Sequence, residues 1–114
     1  MILLLNIGIV QEMNPLPSNA SPAPQLTLQF TCAVAVREQI GELCVQSKPG
    51  SVIQIAVSYC AGGEAMSDDL VANSHGEVRW IWWVASACRG YAVVVARAMW
   101  RGLRVMAMMS LYVW

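Results

Sequence analysis

The stretch from residue 78 to 114, "VRWIWWVASACRGYAVVVARAMWRGLRVMAMMSLYVW", decides the fold. It holds all five tryptophans of the chain and five of its six arginines, and no acid. Two readings of it compete. On a helical wheel, Arg79, Arg89, Arg97, Arg101 and Arg104 fall within an arc of about 120°. Trp80, Ile81, Val84, Tyr91, Val95, Met99, Met106 and Met109 fall opposite. From residue 96 on, alanine, methionine, leucine and arginine dominate, all good helix formers. In the other reading the two Arg-Gly pairs, 89–90 and 101–102, are turns. They divide the stretch into "RWIWWVASAC", "YAVVVARAMW" and "LRVMAMMSLYVW", a meander of three runs whose first two are rich in β-formers. None of the runs alternates cleanly between apolar and polar, and Arg-Gly is not a favoured two-residue turn. The expectation is therefore a basic amphipathic helix, with Gly90 and Gly102 as the points where it would break.

Working back from the tail, "AGGEAMSDDLVANSHG" at 61–76 breaks at Gly62-Gly63. Ser67 can cap a helix with Asp68 and Asp69 in its first turn, and Asn73 and Gly76 can end it. This predicts a short helix at about 65–74. Upstream, "LTLQFTCAVAV" at 26–36 alternates, with Leu26, Leu28, Phe30, Cys32, Val34 and Val36 on one side. Period two over that length argues a strand with one buried face. "IGELCVQS" and "SVIQIAVSYC" flank Lys48-Pro49-Gly50, a good turn, and read as a hairpin with strands near 42–47 and 51–60. Residues 2–10 are too few to span a bilayer, and four prolines in "QEMNPLPSNASPAP" make 11–24 an arm or linker. The fold expected is α+β: a short antiparallel sheet over about 26–60, the capped helix, and the C-terminal helix. Three segments follow: the apolar start and proline-rich arm at 1–24, a small hairpin-containing core at 25–78, and the Arg/Trp-rich tail at 79–114.

Composition asks what such a tail lies against. Hydrophobic residues make up 57% of the 114 and charged residues 12%, against roughly 25% charged in ordinary soluble domains. Polar surface is short, so a bilayer or a partner is expected to cover part of the chain. The net charge of zero hides an asymmetry: all 7 acids lie before residue 79, and the tail carries five arginines. That split suits an anionic partner. A membrane span fits poorly, because Arg89 and Arg97 would sit mid-bilayer at about 2.5–3.5 kcal/mol each unless they faced a partner. A helix lying in the interface fits better, with Arg79, Arg89, Arg97, Arg101 and Arg104 on lipid phosphates and Trp80, Trp82, Trp83 and Trp100 as interfacial anchors. The leading expectation is a small non-enzymatic, membrane-associated protein that touches an anionic membrane surface from the cytoplasmic side. "MILLLNIGIV" lacks the positive n-region of a secretory signal. The alternative is an interaction module or homo-oligomer whose tail packs on another protein chain. Neutral overall charge and a single lysine argue against nucleic acid. Five tryptophans to one phenylalanine and six arginines to one lysine are inverted ratios. They also arise in reading frames with no selected function.

Catalytic and metal chemistry finds little footing. Cys32, Cys44, Cys60 and Cys88 form no C-x-x-C pair, so no zinc site is expected. All but Cys60 sit in apolar runs, and four reduced, mostly buried thiols are the expectation. "VSYCAGGEAMSDDL" is similar in outline to the thiolate loops of rhodaneses and tyrosine phosphatases. Glu64, Ala65 and Met66 stand where those loops place an arginine, and the acids would raise a thiol pKa. Residues 42–72 resemble the closing part of GAF-type ligand-binding domains in "LCV" and "GSVIQIAV", but that family's long N-terminal helix and full sheet are missing. Lone His75 reads as a solvated loop residue, and adjacent Asp68 and Asp69 would diverge by about 100° on a helix. No enzyme activity, cofactor or metal is expected.

Overall fold

The computed structural model describes residues 25–85 and 88–114, and the backbone pairing of residues 5–12. Every regular element among them is a strand: β1 (Leu5–Glu12), β2 (Gln29–Val34), β3 (Ile40–Gln46), β4 (Val52–Ser58), β5 (Glu64–Met66), β6 (Leu70–Val71), β7 (Glu77–Trp83), β8 (Gly90–Trp100) and β9 (Leu103–Val113). They form two sheets. The large one runs β1-β9-β8-β4-β5, with β6 also on β4, and the small one runs β2-β3-β7. All pairings are antiparallel. The α+β expectation is thus corrected to an all-β sandwich, and no helix is present among the described residues, amphipathic or otherwise. β2, β3 and β7 make one layer, and β4, β8 and β9 form the middle of the other.

The core lies between the sheets. Leu43 and Val45 of β3 and Val78 and Trp82 of β7 face Ile53, Ile55 and Val57 of β4, Val94 and Ala96 of β8, and Val105, Met109 and Leu111 of β9. The C-terminal helix fails for a simple reason. Inward positions of β8 are Ala92, Val94, Ala96 and Ala98, all buried, while the outward ones include Val93 and Val95. In β9 the outward Met106 and Met108 are as apolar as the inward Ala107 and Met109. Both faces are apolar, so period two is present in space but invisible as hydropathy. The Arg101-Gly102 pair is the two-residue turn that the meander reading required. Trp100 pairs with Leu103 across it, with φ of 48° and 78° at its two residues, the signs of a type I′ turn.

Three further expectations are corrected. The hairpin around Lys48-Pro49-Gly50 has its strands and its turn, with Ser51 N–H on Lys48 O at 3.1 Å, but not its pairing. The turn carries the chain from β3 in the small sheet to β4 in the large one. Alternation reports that one face of each strand is buried, not which strand lies beside it. That crossing also removes the hairpin on which the GAF likeness rested. The helix at 65–74 is replaced by β5 and β6. Ser67 Oγ, instead of capping, accepts from Ile55 N–H at 2.9 Å and stitches the segment to β4. Finally, the face of β2 flips at a bulge between Phe30 and Cys32. Leu26, Leu28 and Phe30 point inward, then Ala33 and Ala35, so Cys32 turns out of the core.

That flip changes the cysteine chemistry. Cys32 and Cys44 are register partners on the outer face of the small sheet and form a disulfide. Cys60, just past β4, is joined to Cys88, just before β8. No free cysteine remains among the described residues, which corrects the expectation of four reduced thiols. Cys60 has no thiolate to offer in this state. The proline-rich arm over 13–24 lies outside the described residues.

Candidate functional site

The strands scatter the five arginines that the wheel had gathered. Arg79 is on the outer face of the small sheet, where its Nη2 meets Glu42 Oε2 at 2.9 Å. Arg89 is exposed at the end of β8 remote from the 101–102 turn. Arg97 and Arg104 are diagonal neighbours on the outer face of the large sheet, since Arg97 opposes Met106 and Arg104 opposes Met99. Arg101 sits in the turn itself, 4.7 Å from the Trp100 ring centroid. Of the four tryptophans named as anchors, Trp82 is buried and Trp80 is partly so, stacked on it with centroids 4.6 Å apart. Trp83 is 56% exposed on the small sheet and Trp100 is half-buried at the turn. Trp82 serves the core, Trp80 and Trp100 pack partly buried against it, and only Trp83 is largely exposed.

What the structure does assemble is the outer face of the large sheet. Tyr91, Val93, Val95, Arg97 and Met99 of β8 lie beside Tyr112, Ser110, Met108, Met106 and Arg104 of β9, pair by pair. On the other flank, Ser58, Ala56, Gln54 and Val52 of β4 continue the rows. Tyr91 is 53% exposed and Met99 49%. Met66 and Val71, at the β5–β6 edge, are more open still. Across β4, β8 and β9 the only charged residues are Arg97 and Arg104. They line a shallow cleft of about 260 Å³ with Gln54, Asp69, Met99 and Met106. Gln54 Nε2 donates to Asp69 Oδ1 at 2.5 Å, which fixes the carboxylate at the rim. The single ion pair among the described residues is Arg79–Glu42, so neither Arg97 nor Arg104 is neutralised by another described side chain.

At the end of this face, Lys48 Nζ also lies 4.7 Å from the Trp100 ring. The 48–50 and 101–102 turns thus bring Lys48 and Arg101 to one indole. Sequence reasoning missed Lys48, Gln54 and Asp69, because strand pairing rather than spacing brings them to the arginines. His75 is exposed, with its N–H on Asn73 Oδ1 at 2.9 Å and its carbonyl accepting from Gln46 Nε2 at 2.6 Å. It is a turn residue with no acid–base partner beside it among the described residues. No helix is long and apolar enough to cross a membrane, which says nothing of spans made by strands. Comparison with family models, with curated proteins and with solved structures finds no match to this chain.

Proposed function

We propose that the chain is a non-enzymatic binding module that pairs with a second copy of itself through the outer face of its large sheet. One observation carries this: a sheet face of tyrosine, methionine, valine and two arginines, with no lysine and no acid on its three long central strands. Interface cores are enriched in tyrosine, methionine and arginine and depleted in lysine and acids. Strands of 8, 11, 11, 7 and 3 residues lie abreast. At about 3.3 Å per residue and 4.8 Å between strands they present roughly 630 Å², at the low end of the roughly 600–1,000 Å² that each partner gives to a standard interface. Charge favours a particular arrangement. A twofold axis parallel to the strands lays the β9 side of one copy over the β5–β6 side of the other. Arg97 and Arg104 then approach the edge that carries Glu64, Asp68 and Asp69. The alternative geometry, an axis across the strands, sets β9 on β9 and arginine near arginine.

The test is sedimentation velocity over a range of concentrations. The wild-type chain is expected to dimerise, Val93→Glu to remain monomeric at the same concentrations, and Arg97→Glu to shift the dimer equilibrium by at least tenfold. Flotation with anionic and neutral vesicles runs beside it. A chain that stays monomeric yet floats with anionic vesicles would show a lipid surface, not a second copy, to be the occupant of this face.

A further inference from the structure

On the opposite side of the molecule, the small sheet's outer face brings together groups that the dimer does not use. Cys32, Glu42 and Cys44 place their ligand atoms within 4.8 Å of one another. We infer that these three residues form a redox-gated site for a soft divalent cation such as Zn²⁺.

Register provides the first argument. Cys32 and Cys44 are direct partners, with Cα atoms 4.8 Å apart. That is near the roughly 4.5 Å of a non-hydrogen-bonded antiparallel pair, the kind with the closest side chains. The pairings Phe30–Val45 and Ala33–Leu43 flank them and hold both backbones whether or not the sulfurs are joined. A tetrahedral Zn²⁺ with bonds of about 2.3 Å to each sulfur would hold the two sulfurs about 3.8 Å apart, a small opening for adjacent strands.

Glu42 provides the second. Its Oε1 lies 3.5 Å from Cys44 Sγ and 3.6 Å from Cys32 Sγ. A disulfide sulfur carries no hydrogen, so in the oxidised pair this oxygen faces two atoms that cannot donate to it. Oε2 is held by Arg79 Nη2 at 2.9 Å, which aims Oε1 at the sulfurs in the way second-sphere partners orient metal ligands. Two thiolates, one carboxylate, one guanidinium and a divalent cation sum to zero charge. Thiolate donors select zinc-like ions over magnesium or calcium.

The redox step balances with an external thiol reductant. Two reductant thiols pass two electrons and two protons to the Cys32–Cys44 bond and leave as their own disulfide. The S–S bond breaks and two S–H bonds form. The cation then releases both thiol protons to solvent and takes two metal–thiolate bonds, Glu42 Oε1 and a water. Both cysteines are partly exposed, and a hollow of about 400 Å³ lined by Thr31, Cys44, Asn73, Glu77 and Arg79 gives a reductant access. The ligands are separated by ten and two residues, with no C-x-x-C, so the pattern is created by the β2–β3 hairpin and its bulge.

Cobalt titration of the full chain, with and without a phosphine reductant, tests this. The reduced chain is expected to bind one Co²⁺ with a thiolate-to-cobalt charge-transfer band that Zn²⁺ abolishes, and the oxidised chain to show none. Cys32→Ser should remove the band, Glu42→Gln should weaken binding at least tenfold, and Cys60→Ser should leave it intact. A band that survives Cys32→Ser, or a reduced chain that binds no cobalt, overturns the inference.

Discussion

The indole N–H of Trp82 donates to the phenolic oxygen of Tyr59 at 2.8 Å, deep in the molecule. Trp82 belongs to β7 in the small sheet and Tyr59 follows β4 in the large one, so this bond joins the two layers. Both side chains are buried. No buried side-chain nitrogen or oxygen among the described residues is left without a partner, and this pair shows how the two most polar aromatic groups of the core achieve that.

Tyr59→Phe removes the acceptor and leaves the aromatic volume. A buried donor with no partner costs about 1–3 kcal/mol. For a domain of this size that is a fall in Tm of roughly 4–12 °C. Trp82→Phe should cost more, because it loses the bond and also the stacked partner of Trp80. Thermal denaturation followed by near-UV circular dichroism reports both, and an unchanged Tm in Tyr59→Phe would show that water replaces the phenol.

Gly41 lies on the inner face of the small sheet, where a side chain has no room. A Cβ built there would meet Val84 Cγ2 at 2.8 Å and the Trp82 ring at 2.9 Å. These atoms belong to side chains that are themselves buried, in an interior packed as densely as protein cores are. Gly41→Ala is therefore expected to destabilise by about 1–3 kcal/mol through overpacking, although alanine is the better residue for an ordinary strand position. Urea unfolding should show a lower midpoint with an unchanged slope. A stabilised Gly41→Ala would mean that the indole can swing aside.

Three of the strands were legible in the residues, and the failures have separate causes. Strands at 26–36, 42–47 and 51–60 show because Leu26, Leu28 and Phe30 alternate with Thr27 and Gln29, and Ile53, Ile55 and Val57 with Gln54, Ala56 and Ser58. The tail hides its period because Val93 and Val95 face out where Val94 and Ala96 face in. Leu70 and Val71 sit in a two-residue strand too short for any period to register. The bulge at Thr31 flips Cys32 outward, and no composition rule marks it. Of the residues expected at a lipid surface, Arg97 and Arg104 lie on the outer face of the large sheet and Trp100 at its turn, while the helical periodicity that joined them to Arg79, Trp80 and Trp82 is one that strands do not have. Lys48, Gln54 and Asp69 reach them only through long-range pairing, which one sequence does not report.

The 101–102 turn is where sequence and backbone disagree most openly. Type I′ turns favour Asn-Gly, because asparagine tolerates positive φ better than arginine does. Arg101 holds φ of 48° there. Arg101→Asn is expected to raise stability by about 0.5–1 kcal/mol, less whatever its contact with Trp100 contributes. Gly102→Ala, at φ of 78°, should lower it by about 1–2 kcal/mol. Opposite signs at adjacent residues in thermal unfolding would establish the turn type. Two variants of equal and small effect would place the hairpin's register elsewhere.

The two disulfides should differ in what they contribute. Cys60–Cys88 closes a separation of 28 residues and Cys32–Cys44 one of 12. Loop-closure entropy alone ranks them at about 3.6 and 2.8 kcal/mol. The topology widens that gap. Cys32 and Cys44 are already held together by the β2–β3 ladder, whereas Cys60 and Cys88 lie beyond the ends of β4 and β8, past the last rung at Ser58–Val93. The Cys60→Ser/Cys88→Ser chain is therefore expected to unfold at markedly lower denaturant than Cys32→Ser/Cys44→Ser, with the face of β4, β8 and β9 losing protection first at its Tyr91 end. Hydrogen exchange at Tyr91 and Ala92 against Ala96 and Ala98 reads that directly. Equal protection along β8 in the Cys60→Ser/Cys88→Ser chain would mean that the sheet holds this end without the covalent link, and that the second disulfide serves something other than stability.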